Sequence, residues 1–273
     1  MVTGGSSGIG RAIAEVLAEA GHLVFATSRD PSRVKAPPGV SMLPLDVRSD
    51  ESARECVDGV FAAASRIDVL VNNAGYTLAG AIEEATLAEA QSLFETNVFG
   101  VVRMTRLALP VMRRQRSGHI VNISSGLARV RPPYIGFYAA SKCAVEGYSE
   151  ALWHELRPLG IHVSVVAPGY VATNIESAAA RGSERIDAYE PWRGRALGVI
   201  HRRLAAGRDP RHVAERVGFL VASGAPAFYV PVGWDARTLS ALRRVLPQAA
   251  YRRVVRTLFR VGSGAPPPRA LRS

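Results

Sequence analysis

The sequence predicts an α/β fold: a single Rossmann-type doubly wound parallel sheet with helices on both faces, followed by a helical C-terminal extension. Two observations carry this expectation. Short apolar runs rich in Val and Ile alternate with stretches of helical period, as in parallel βαβ units covered on both sides. A Gly-rich corner, Thr3-Gly4-Gly5-Ser6-Ser7-Gly8-Ile9-Gly10, stands where such a fold turns from its first strand into its first helix.

Taken in order, the elements begin with an anomaly. Only Met1, Val2 and Thr3 precede the corner, so the start reads as truncated or mis-assigned, and the sheet centre is expected to be weak. A helix follows over about residues 9–20, with Gly21 as its C-cap. Strand-like runs lie at about 23–27, 41–47, 67–72, 119–124, 162–167 and 228–232. Helical stretches at about 51–65, 87–114, 138–156 and 210–223 alternate with them. Residues 176–209 have poor periodicity and many charges, and read as a long insertion with helical pieces. The organisation expected is a Rossmann-fold domain over 1–235, a basic amphipathic helical extension over 236–261 and a disordered tail over 262–273, where Pro266-Pro267-Pro268 falls.

Composition excludes several classes. The chain has 273 residues, 48% hydrophobic and 21% charged, which suits a globular domain and not a disordered or collagen-like chain. Its two cysteines, Cys56 and Cys143, have no metal-ligand spacing, and a reduced, cytoplasmic protein is the reading that follows. No apolar run reaches the roughly 18 residues of a spanning helix, and the N-terminus lacks the pattern of a secretory signal. The net charge of +11 is concentrated at one end: no acidic residue follows Asp235, while nine arginines do. Residues 1–235 carry 25 basic against 23 acidic groups, so the body is nearly neutral. With no aromatic-basic motif, nucleic acid is not an expected partner. Within the basic extension, Tyr251, Val254, Val255, Leu258 and Phe259 share one helical face while Arg252, Arg253, Arg256 and Arg260 take the rest. That stripe either packs on the domain or a second subunit, or lets 251–261 lie peripherally on an anionic membrane.

The corner and the end of the second strand suggest a dinucleotide. Glycines let a pyrophosphate approach the helix N-terminus, where unpaired N–H groups and the helix dipole favour anions. The spacing here is G-x-x-x-G-x-G, which departs from the G-x-G-x-x-G fingerprint. The second strand ends Ala26-Thr27-Ser28-Arg29-Asp30. Ser28 occupies the place of a ribose-binding carboxylate and Arg29 follows, so NADP(H) is favoured over NAD(H). Asp30 is the competing carboxylate; beyond the strand end it reads as a turn residue or a partner for Arg29.

Tyr138 and Lys142 lie four apart on one helical face, where an ammonium would lower the phenol pKa. Ser125 stands thirteen residues upstream, after a strand, at the sheet edge where ligands bind in open α/β folds. Asn97 sits mid-helix in Glu95-Thr96-Asn97-Val98-Phe99, where asparagine is mildly unfavourable, which suggests a polar structural or relay role.

With these residues in place the sequence resembles the short-chain dehydrogenase/reductase family, and in its C-terminal part the hydroxysteroid- and retinol dehydrogenase-type members. The resemblance rests on TGGSSGIG at 3–10, Asp46-Val47, Asn72-Asn73-Ala74-Gly75, Asn97, Ser125, YAASK at 138–142, and Pro168-Gly169 with Thr173. It covers about residues 1–175, and more loosely Tyr229 to Ala236. It implies a catalytic tetrad of Asn97, Ser125, Tyr138 and Lys142. It also implies that Gly4, Ser6, Ser7 and Ile9 line the phosphates and that Asp46 and Val47 meet the adenine. Asn73, Ala74 and Gly75 would support the central strand and cofactor, while Pro168, Gly169, Val171 and Thr173 hold the nicotinamide end. By the same resemblance 176–209 acts as a substrate lid, and Leu127, Tyr134, Tyr170 and Trp192 form an apolar pocket. The expected reaction interconverts a carbonyl and an alcohol on a bulky lipophilic small molecule, in a homodimer or homotetramer, with no metal. Reduction of acyl-thioester or sugar substrates, or a catalytically silent binding protein on the same fold, stay open beside it.

Overall fold

The computed structural model describes residues 1–173, 180–190 and 192–262. In chain order the elements are α1 (Gly8–Glu19), β1 (Val24–Ser28), β2 (Val40–Pro44), α2 (Asp50–Ala64), β3 (Val69–Asn72), β4 (Leu78–Ala79) and α3 (Leu87–Phe94). There follow α4 (Gly100–Gln115), β5 (Gly118–Ile123), α5 (Leu127–Val130), α6 (Gly136–Leu156), β6 (Ile161–Pro168) and β7 (Ala180–Arg181). The chain closes with α7 (Trp192–Ala205), α8 (Arg211–Ala222), β8 (Tyr229–Val232), α9 (Trp234–Val245) and α10 (Gln248–Leu258).

The local chemistry explains the helix boundaries. Ser49 caps α2 by accepting the N–H of Ser52, and Asp50 and Glu51 put negative charge at the positive end of its dipole. Thr86 and Glu89 cap α3 reciprocally. Gly21, at φ +84°, follows the end of α1 in the left-handed region that glycine tolerates.

The main sheet is parallel throughout. β2 pairs with β1, and β3, β5, β6 and β8 pair in that order, with Leu70 opposite Ile120 and Ile120 opposite Val163. The three residues before the Gly-rich corner join these halves. Val2 bridges both Ala26 and Val71; its N–H reaches the Phe25 carbonyl at 2.8 Å, and the Thr3 N–H reaches that of Val71 at 2.9 Å. The expected weakness at the centre is therefore not seen: Val2 is fully buried and its short run is hydrogen-bonded on both sides.

Helices cover both faces. Leu70, Met104, Met112, Ile120 and Val163 anchor the core under α2, α4 and α6, and Ile13, Leu17, Val121, Val166 and Val217 the core under α1 and α8. Burying each such side chain contributes roughly 1.5–3 kcal/mol before entropy is counted. A third cluster lies at one end, where Ile135 and Tyr138 meet Val199 and Ile200 of α7 and Tyr251, Val255 and Phe259 of the C-terminal segment.

That cluster bears on two expectations, both of helical structure. The poorly periodic stretch contains a regular helix, α7, which buries Ala196, Val199, Ile200 and also Arg193, and a buried arginine hides the helical pattern. The extension is helical, in two helices, and the Tyr251, Val255 and Phe259 stripe of its second part faces the domain. Of the two uses weighed for that stripe, packing on the domain is the one observed. Residues 174–179 and 191 of the expected lid, and 263–273 of the expected tail, lie outside the described residues. Among the described residues no helix is long and apolar enough to cross a membrane.

Candidate active site

The Gly-rich corner forms one end of a cleft of about 640 Å³ along the carboxyl edge of the sheet. Gly4 takes φ +64° and lies so close to Ala74 that a Cβ would stand 2.9 Å from its Cα. A Cβ on Gly10 would stand 2.3 Å from the Gly4 carbonyl oxygen, so the tight corner needs glycine at both positions. Asn73 fixes the corner from the opposite side, donating its side-chain amide to the carbonyls of Thr3 and Gly4 at 3.0 and 3.1 Å. The Thr3 hydroxyl in turn accepts the N–H groups of Asn73 and Ala74.

Twelve residues expected at a cofactor line this cleft: Gly4, Ser6, Ser7, Ile9, Ser28, Arg29, Asp46, Val47, Asn73, Ala74, Gly75 and Thr173. A dinucleotide fits this donor set. The α1 N-terminus faces the cleft, and Ser7 makes no side-chain cap there, so the first N–H groups of the helix are left to an anion. Asp30 is occupied otherwise: it accepts the Ser32 N–H at 3.2 Å and pairs with Arg33 at 2.8 Å, a turn role with a partner other than Arg29. Arg48, which the sequence reading missed, also lines the cleft and grips Asp46 through two nitrogens, at 2.6 and 2.9 Å. That contact holds the Asp46 carboxyl below its usual range.

The nicotinamide-end residues divide. Gly169 and Tyr170 follow β6, tied by the Gly169 N–H to the Val232 carbonyl at 2.8 Å, and the Pro168 carbonyl accepts the Gly126 N–H at 2.7 Å. Val171 points away from the cleft, buried in the core under α1 and α8, so only its backbone could serve a ligand.

Four polar residues, all of them buried, stand beside the cleft, with Asn97 and Lys142 next to Gly75 on its wall. Ser125 follows β5, and its Oγ accepts the Leu127 N–H at 3.1 Å. The Tyr138 hydroxyl stands near enough to Ser125 for that side chain to pull its pKa down, although burial pulls harder the other way. One helical turn on, the Lys142 ammonium donates to the Ile123 carbonyl at 2.9 Å and lies 5.9 Å from the centre of the Tyr138 ring. Burial lowers the Lys142 pKa to about 8. The expected depression of the phenol is not found, because burial outweighs the pull of Ser125 and raises Tyr138 above its ordinary value.

Asn97 also departs from expectation. It lies in a π-type turn, Glu95–Phe99, between α3 and α4 rather than inside a continuous α-helix. Its amide donates to the Tyr76 carbonyl at 2.9 Å and to Ser141 at 3.1 Å, and its Oδ1 accepts the Tyr76 N–H at 3.0 Å. Both donors are spent on protein. Ser141 passes its own hydrogen to the Tyr138 carbonyl at 2.8 Å, so the asparagine braces the helix that carries Tyr138 and Lys142.

Leu127, Tyr134 and Tyr170 all pack against the cluster that contains Tyr138, whereas Trp192 lies at the start of α7 with Arg195 over its ring at 5.2 Å. Tyr134 takes φ +64°, a region bulky side chains avoid, and its carbonyl accepts the Gly80 N–H at 2.8 Å. No group of three or more metal-ligating side chains occurs among the described residues.

Comparisons with known proteins show the family and the fold. The family model described as short chain dehydrogenase matches residues 1–184. The chain is 41% identical over 239 residues to 3-ketodihydrosphingosine reductase of Bacteroides thetaiotaomicron, covering 85% of this chain and 87% of that protein. It is 40% identical over 188 residues to human retinol dehydrogenase 8, covering 64% and 60%. A short-chain dehydrogenase from Streptomyces avermitilis superposes with a TM-score of 0.78 at 35% identity, over 94% of this chain and 96% of that one. Other similar chains of known structure hold NAD in one case and NADP in another. The family match over more than half of the sequence, with a reductase 41% identical over most of both chains, places this protein among the oxidoreductases of the short-chain dehydrogenase/reductase family.

Proposed function

We propose that the chain uses NADP(H) to interconvert a ketone or aldehyde and its alcohol on a bulky lipophilic substrate. The observation that carries the reaction is the buried trio of Ser125, Tyr138 and Lys142, with the ammonium hydrogen-bonded to the Ile123 carbonyl at 2.9 Å and 5.9 Å from the centre of the Tyr138 ring. A bound nicotinamide supplies or accepts the hydride. Ser125 holds the carbonyl oxygen, and Tyr138 gives it a proton in reduction or removes that proton in oxidation. Burial keeps the phenol protonated at neutral pH, which suits donation. Lys142 would hold the nicotinamide ribose; its Nζ stands beside Gly75 on the cleft wall, 3.7 Å from where a Cβ of that glycine would be. Asn97 keeps that helix in register through Ser141.

NADP(H) is supported by Ser28 and Arg29 on the cleft wall, with Asp30 turned to Ser32 and Arg33. Arg48 adds a second cation at that end. A lipophilic substrate is supported by the partly buried Leu127, Tyr134 and Tyr170 packed beside Tyr138, and by the similarity to 3-ketodihydrosphingosine reductase and to a retinol dehydrogenase. The assembly proposed is a homodimer or homotetramer. The test is a screen of NADPH and NADH oxidation with 3-ketodihydrosphingosine, retinal, a ketosteroid, a ketoacyl thioester and a sugar ketone. Turnover confined to the lipophilic carbonyls, with NADPH preferred, is the expected result; a best substrate among the thioesters or sugars would overturn it.

A further inference from the structure

We propose that Glu84 and Arg193 form a pin that sets where the lid helix α7 stands over Tyr138, and so act as a positioning pair for the substrate. The proposal rests on Tyr138 being the reacting phenol. Glu84 is 2% exposed and Arg193 is 7% exposed, and they form an ion pair. The Glu84 carboxylate also accepts the N–H of Ala81 at 2.8 Å and of Ile186 at 2.9 Å, so one buried group holds its own turn, the lid approach and the lid helix. Arg193 is braced on its other side by Glu190 at 2.6 Å.

The surroundings repeat the same pairing of segments. β4 pairs with β7, the Tyr189 hydroxyl donates to Glu83 at 2.5 Å, and the Tyr189 ring meets Tyr134 edge-on at 6.3 Å. On the apolar side, Ala196, Val199 and Ile200 of α7 pack in the cluster that contains Tyr138. An aliphatic contact of that kind tolerates sliding. A buried ion pair gains little over an apolar pair of equal volume, but its two charges meet in one arrangement, and a shift of the helix by a turn would strand both. The pin therefore defines the lid's register, with Tyr134 at the wall that the lid closes.

The test uses the full chain with the double variant Glu84→Gln/Arg193→Met, which leaves no buried charge unpaired, and the conservative single variant Arg193→Lys. Three quantities are read: NADPH affinity, amide hydrogen exchange of residues 184–205, and KM and kcat for the carbonyl the unmodified enzyme reduces best. In the double variant the KM should rise roughly tenfold or more with kcat changed less than about threefold, the signature of substrate binding lost equally from the ground and transition states. NADPH should bind as before, the α7 amides should exchange faster, and Arg193→Lys should fall between the two. An unchanged KM with unchanged exchange would overturn the proposal, and so would loss of NADPH binding together with KM, which would make the pair a support of the whole fold. If no carbonyl in the panel is reduced, the substrate reading fails by itself, and hydrogen exchange still decides the pin: faster exchange in α7 alone upholds it and unchanged exchange removes it.

Discussion

Asp235, at the start of α9, accepts the backbone N–H of Tyr170, just after β6, at 2.8 Å. The same carboxylate fills the space beside Gly169, where a Cβ would stand 2.2 Å from its oxygens. The first turn of α9 thereby fixes the backbone loop expected to hold the nicotinamide end. Removing a charged hydrogen-bond partner costs roughly 1.5–3 kcal/mol, so Asp235→Ala should weaken NADPH binding about tenfold. Asp235→Asn keeps an acceptor oxygen and should lose much less. A titration of cofactor fluorescence checks this, and equal affinities for the alanine and asparagine variants would disprove the role.

Ser28→Asp combined with Arg29→Leu should move preference from NADPH toward NADH. The change sets an anion where a 2′-phosphate would find a cation, and the ratio of kcat/KM values should shift at least roughly tenfold. An unchanged ratio would move the discrimination to Arg48, the other cation on that wall.

The order of elements was legible because parallel strands buried on both faces read as continuous Val- and Ile-rich runs, such as Ile161–Pro168. The cleft was legible because its residues sit in contiguous motifs: Gly4 to Ile9, and Asn73 to Gly75. What escaped depends on tertiary context. Arg193 reads as a solvated charge until Glu84, 109 positions earlier, is seen beside it. The π-type turn at Asn97 has no composition of its own, and Val171 looks like a cofactor residue by motif although its side chain points into the core. The Tyr138 pKa was read from its neighbour Lys142, whereas burial, which a sequence does not display, decides its direction.

Phe259 is 1% exposed in the cluster that includes Tyr138, so Phe259→Ala should destabilise the protein by about 3–5 kcal/mol. Thermal and urea unfolding measure the loss. A variant with unchanged stability, paired with binding of the full chain to anionic liposomes, would mean that the stripe serves a membrane surface instead.

Lys142 has a pKa near 8 in the fold against an ordinary 10.5, so its charge is disfavoured by folding. Below about pH 8 the lysine is charged in both folded and unfolded states and its full cost is felt. Between the two values the unfolded chain binds more protons, and stability from this group rises with pH. Lys142→Met should therefore be more stable than the unmodified protein at pH 7, by up to about 3 kcal/mol, with the gap closing toward pH 10.5. Denaturant melts of both proteins across that range make the comparison, and a gap independent of pH would contradict the buried-charge account.

Tyr138→Phe tests the central claim most directly, because it removes one hydroxyl from a ring that stays buried beside Lys142. Loss of a general acid costs on the order of 10²–10⁴ in rate. Single-turnover oxidation of NADPH with the best carbonyl substrate should fall by at least that factor, while NADPH affinity stays within about twofold of the unmodified enzyme. Near-normal turnover in the phenylalanine variant would mean that another group delivers the proton and that Tyr138, Ser125 and Lys142 are not the reacting constellation.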